Sequence, residues 1–150
     1  MQHLVSLARI LCCALLLSAC AGVVPMQRDQ TSALVRNAPD SEVNRLIGNA
    51  SITATHVFDS QGKTWEARHY NLQTGSRQQM TMVCTPNCMP VFYTVAVTDA
   101  YVLVFDAPTR HLFAWGTLEE LSRSPDEAVS AIMPDLKTSY YLAIPVKSPK

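Results

Sequence analysis

Tyr101, Val102, Leu103, Val104 and Phe105 are five consecutive apolar residues, β-branched or aromatic at four of the five positions. Alternate side chains of a strand point to opposite faces, so this stretch has no face suited to water. It predicts a central strand covered on both sides. The chain has 150 residues, room for one ordinary domain, and that domain must supply both covers. Its 48% hydrophobic and 16% charged residues exclude a generally disordered chain. Twelve Lys and Arg balance twelve Asp and Glu, which argues against a nucleic-acid binder with its basic excess on one face.

The rest of the sheet reads from the same logic. Residues 52–58 are rich in β-branched residues and run into a turn at Asp59, Ser60, Gln61 and Gly62. In residues 64–72, Trp65, Ala67 and His69 alternate with Glu66, Arg68 and Tyr70, so each set takes one face. A Gly-containing turn is expected at 73–76. Strands are expected at 79–84 and 91–98, joined by Thr85, Pro86 and Asn87, and a last hairpin at 101–105 and 111–115. The aromatic set Trp65, Tyr70, Phe92, Tyr93, Tyr101, Phe105, Phe113 and Trp115 is assigned mostly to the core.

Helices are expected on either side of the sheet. Val43, Leu46 and Ile47 share one helical face in residues 40–48, with Asp40 or Ser41 as cap and Gly48 as stop. A shorter helix over 31–36 would turn near 37–39 and make a helical hairpin with it. Residues 118–121 begin a short helix. A firmer one starts at Ser124, where Glu127 completes capping-box spacing, and stops at Pro134. Residues 140–146 add an edge strand, and of the adjacent Tyr140 and Tyr141 one must then face a partner or solvent. The fold class is α+β: an N-terminal helical hairpin on an antiparallel sheet, with a short C-terminal helix.

The N-terminus is an address. Residues 10–17 are an uninterrupted apolar run, too short for a bilayer span of roughly 20 residues but of signal-peptide form. Leu17, Ser18, Ala19 and Cys20 then resemble the lipobox of bacterial lipoproteins. The resemblance implies cleavage before Cys20 and acylation of its sulfur and new amine. Residues 1–19 would be a signal peptide, carrying away His3, Cys12 and Cys13. Residues 20–30 would be the lipidated cysteine and a tether, and residues 31–150 one domain. Ala21 follows the acceptor where Asp would signal retention, which implies the outer membrane with the domain facing the periplasm. Several buried acyl chains, at roughly 0.8 kcal/mol per methylene, make a permanent anchor.

Cys84 and Cys88 flank Thr85, Pro86 and Asn87. In a secreted domain with two such cysteines, a disulfide closing a hairpin tip is expected. The alternative is metal: Cys84 and Cys88 followed by Met89 and Pro90 resemble the motif of Sco-type copper-delivery proteins, with His111 as the distant ligand. Strands on both sides of the motif favour the disulfide. His56, His69 and His111 lie in expected strands, with no helical i, i+4 pair among them. No Ser stands in a nucleophile elbow, and five glycines make no phosphate loop. Glu119 and Glu120 are adjacent on a surface helix. No catalytic residue, metal ligand or cofactor is assigned.

Three stretches together resemble the BamE-like small lipoproteins, the SmpA/OmlA family: residues 41–48, residues 64–70, and residues 101–105 followed by 112–116. The resemblance implies two helices packed on a three-stranded sheet and a supporting role in an outer-membrane complex. Residues 73–98 read as an insertion and residues 117–150 as an extension. The expected function is therefore that of a non-enzymatic envelope lipoprotein, scaffold or accessory subunit, anchored at Cys20 and bound to a protein partner. A periplasmic enzyme inhibitor or ligand-binding module is the alternative, with a copper or redox protein behind it.

Overall fold

The computed structural model describes residues 23–84 and 86–143. Among the described residues eight elements follow in order: α1 (Arg28–Ser32), α2 (Asp40–Ile47), β1 (Ile52–Ser60), β2 (Lys63–Cys84), β3 (Cys88–Asp106), β4 (His111–Gly116), α3 (Leu118–Ser122) and α4 (Glu127–Ala143). The four strands form one antiparallel meander in the order β1-β2-β3-β4. The expected signal peptide, Cys20 and residues 144–146 of the expected edge strand lie outside the described residues.

The apolar run 101–105 is the spine of the fold. Tyr101, Leu103 and Phe105 join Tyr70, Leu72, Leu112, Val43 and Ile47 in one core cluster. Val102 and Val104 point the other way and join Trp65, Ala67, Ala114, Val129, Ile132 and Leu136. Both faces of β3 are covered there, as five consecutive apolar residues require. The alternation read in β2 also holds: Trp65 and Ala67 enter the second cluster and Tyr70 the first.

The N-terminal helical hairpin is not there. α1 is a single polar turn with no buried residue. Residues 33–36, expected to complete a helix, make only local turns, and residues 37–40, expected as the hairpin's turn and the start of its second helix, give backbone groups to the sheet. The Asn37 N–H donates to the Leu112 carbonyl at 2.7 Å, the Leu112 N–H to Ala38 at 2.9 Å, and the Asp40 N–H to Arg110 at 3.0 Å. Asn37 takes a positive φ of 64° to make this turn. A chain bonded to the outer edge of β4 cannot also close helical turns. The larger helical layer, α3 and α4, follows the sheet, and the sheet has four strands rather than the three the family resemblance implies.

Packing overrode three local signals. α4 runs through Pro134, because Ile132 and Met133 before it and Leu136 after it all bury in the second cluster. Leu136, at roughly 1.5–3 kcal/mol, is the burial gained by continuing, and with the Tyr140 contact to His69 it offsets the roughly 3 kcal/mol that an internal proline costs. Residues 140–143 therefore end a helix, not an edge strand. The α4 cap is Asp126, whose Oδ1 accepts from the Ala128 and Val129 N–H groups, rather than a Ser124–Glu127 box.

From Val24 to Met26 the expected tether is docked. Met26 is fully buried, its N–H donating to Asn71 and its carbonyl accepting from Gln73, both at 2.8 Å. The Val24 N–H donates to Ser51 Oγ at 3.0 Å, and Ser51 N–H returns to Val24 at 2.9 Å. The four residue steps from Cys20 to Val24 span at most roughly 14 Å.

Candidate functional site: a projecting two-stranded arm

The expected turn at 73–76 is a β-bulge. β2 and β3 pair without a break from Trp65 and Asp106 to Cys84 and Cys88, with one register shift between Gln73 and Gly75. β1 and β4 stop at the body: Ile52 pairs with Tyr70, and Gly116 pairs with Val102. Beyond Leu72 and Asp99 the two long strands run on alone. Twelve residues on β2 at roughly 3.3 Å each make an arm of about 40 Å.

The expected disulfide joins Cys84 and Cys88 at the arm's tip. His111 sits at the far end of the sheet, opposite Asp106. It cannot serve a metal at the tip, and the copper alternative loses its distant ligand. Among the described residues no three His, Cys, Asp or Glu side chains gather as a metal site.

The arm's surface is unusual for a protein in water. Met80, Met82, Met89 and Phe92 are each more than half exposed, and Val83, Val91, Tyr93 and Val97 more than a third. Cross-strand partners share a face. Met80 lies opposite Phe92 and Met82 opposite Pro90 on one face; Val83 lies opposite Met89 and Thr81 opposite Val91 on the other. Both faces are thus apolar toward the tip. Arg77 is the single charged residue between 73 and 98. A two-stranded ribbon is marginally stable alone in water, and contiguous exposed apolar surface marks a binding site. Phe92 and Tyr93, assigned from the sequence to the core, are the arm's exposed aromatics.

A cleft of about 810 Å³ opens at the arm's foot, where β4 ends. Asp99, Ala100, Trp115, Glu119, Glu120 and Arg123 line it. Glu119 pairs with Arg123 at 2.7 Å. Glu120 closes a capping box on α3, accepting from the Thr117 N–H at 2.8 Å while Thr117 Oγ1 accepts from the Glu120 N–H at 3.1 Å. The adjacent carboxylates therefore have separate structural duties.

Two buried polar groupings lie in the body. Arg68, 5% exposed, donates to Asp40 Oδ1 at 2.5 Å, Asp40 Oδ2 at 2.9 Å and Glu66 Oε1 at 2.6 Å, and its guanidinium stacks on Phe105. Arg110 bridges the same two carboxylates from the outside. The Arg68 hydrogen bond holds the Asp40 carboxyl down at about 2. This bonding also explains why Asp40 does not cap α2: its carboxylate is spent on the sheet. His69 Nε2 and His56 Nδ1 lie 3.1 Å apart, so one proton is shared between two neutral rings. Tyr140 covers His69 at 5.0 Å between ring centres. Burial first, and His56 second, lower the His69 pKa to about 4. The sequence placed these histidines in strands but held no signal that β1–β2 register would make them face.

No family model, no curated protein and no solved structure matches this chain.

Proposed function

We propose that the chain is a non-enzymatic lipoprotein, anchored at Cys20 in the outer membrane, that engages a cell-envelope protein through its arm. The observation that carries this reading is the arm itself: a roughly 40 Å ribbon, apolar on both faces toward its tip, almost uncharged and stapled there. The lipobox-like run at 17–20 supports the anchor. Docking of residue 24 against Ser51 and of Met26 against Leu72 would hold the arm's root within a short reach of the lipid. A scaffold or accessory subunit of an envelope complex, as in the BamE-like family, fits an arm that reaches along or away from the membrane.

The exposed Phe92 and Tyr93 also favour a second reading, an inhibitor whose arm enters an enzyme's cleft. Both readings make the arm the binding element, and the identity of the captured protein separates them. The test is affinity purification of the full chain from its own envelope beside a variant in which residues 73–98 are replaced by Asn-Gly. Partners recovered with the intact chain and lost with the variant support the proposal. Identical partners with both, or turnover of a periplasmic substrate at an enzyme-like rate, reject it.

A further inference from the structure

Sheet edges attract other strands, and most edges here are guarded. The outer edge of β4 is bonded to residues 37–40. The outer edge of β2 at the arm's root is bonded to Met26, and beyond it come the bulge at Gln73 and Gly75 and the charge of Arg77. Bulges and charges are the usual protections of an edge. The outer edge of β3 along the arm has none of them. From Val91 to Thr98 it holds no charge, Gly or Pro. Valine, phenylalanine, tyrosine and threonine, all strong strand formers, fill seven of the eight positions. Among the described residues no strand pairs with it, because β4 ends opposite Val102.

The vacant lane continues the line of β4, and the cleft lies at its foot. Three carboxylates there, Asp99, Glu119 and Glu120, face one guanidinium, Arg123, which Glu119 already engages. A strand entering the lane meets an uncharged edge along the arm and excess negative charge at its foot. We infer that the outer edge of β3 from Val91 to Thr98 accepts an extended segment of the protein partner as an added strand, with a Lys or Arg of that segment seated in the cleft at Asp99 and Glu119. Main-chain hydrogen bonds would supply affinity and the cleft would set register. A third strand would also complete a ribbon that two strands leave marginal. A lipid surface is the poorer occupant, because hydrocarbon leaves the backbone groups of an open edge unpaired. This inference rests on the reading of the arm as a partner-binding element.

The experiment begins with the full chain in its own envelope, carrying the photoreactive residue benzoylphenylalanine in place of Thr94, Thr98 or Met82. The cross-linked segment is identified by mass and made as a synthetic peptide. That peptide is then added to the purified full chain, and amide exchange is read residue by residue. The inference expects an extended segment with a basic residue at one end. It expects slowed exchange of alternate amides in residues 91–98, with those of residues 76–82 unchanged. It also expects binding weakened roughly tenfold, with loss of salt dependence, by Asp99→Lys with Glu119→Lys. Cross-linking to a protein without protection of the β3 edge, or without an effect of charge reversal, overturns the inference and leaves the arm a binding element. No protein cross-link from any of the three positions, or cross-links only to lipid or to a second copy, overturns the reading beneath it.

Discussion

Acidification from pH 7 to 4.5 should destabilise this fold through one histidine. His69 is 1% exposed, and in the folded chain its pKa falls from 6.5 to about 4. An unfolded chain therefore takes up a proton at pH 6.5 that the folded chain refuses until about pH 4. Stability is fully present above pH 6.5 and declines as pH falls toward 4. At about 1.4 kcal/mol per pH unit, that interval amounts to roughly 3 kcal/mol. For a domain of this size it lowers Tm by about 10 °C. Burial lowers the pKa of His56 as well, so the neighbouring ring acts in the same direction. The window is separable from that of Asp40, whose carboxyl lies at about 2 in the fold and whose contribution is lost only as pH falls from 3.8 toward 2. The assay is denaturant unfolding at half-unit steps of pH, on the natural chain and on His69→Phe. The variant keeps the ring against Tyr140 and removes the titration, so most of the slope between pH 6.5 and 4 should vanish. A flat profile in the natural chain, or an equal slope in the variant, would refute the coupling of burial to proton binding at this site.

Arg68→Met should cost about 3–5 kcal/mol in urea unfolding, because it leaves the Asp40 and Glu66 carboxylates partly buried around an apolar side chain. Leu136→Ala, at a fully buried position on the far side of Pro134, should cost about 2–5 kcal/mol; a loss below 1 kcal/mol would mean that the second half of α4 is not docked. Cys84→Ser with Cys88→Ser should shift global stability by less than about 2 kcal/mol, since the bond closes a very short loop far from both core clusters, while amides near the tip exchange faster. Cys20→Ser should leave the membrane fraction in cell fractionation, as a soluble or uncleaved product; retention as a mature membrane-bound protein would reject the anchor.

What could be read in the chain was whatever depended on near neighbours. The five apolar residues at 101–105 required cover on both faces and have it. Trp65, Ala67 and Tyr70 took the faces that their alternation assigns, and Gly48 ends α2 with a positive φ of 57°. What could not be read depended on distant partners. Gly75 with its polar neighbours reads as a turn, yet unbroken pairing of β2 with β3 makes it a bulge and the supposed insertion an arm. A helix was expected over residues 31–36, but the edge of β4 captured the residues after them. Pro134 signalled a stop that the contacts of Leu136 and Tyr140 beyond it outweighed. The arm's one visible signal was its missing charge, a single Arg77 across 26 residues, which marks a segment that does not meet water on ordinary terms.

The most direct measurement makes the arm polar without shortening it. Met80→Ser, Met89→Ser and Phe92→Ser remove three side chains that are each more than half exposed and belong to neither core cluster. If these side chains serve a partner, the triple variant should melt within about 3 °C of the natural chain, since exposed positions contribute little to stability. Its partner, quantified by mass after affinity purification from the envelope, should be lost. A collapse in melting temperature, or full recovery of the partner by the polar arm, would contradict the assignment of the arm to binding.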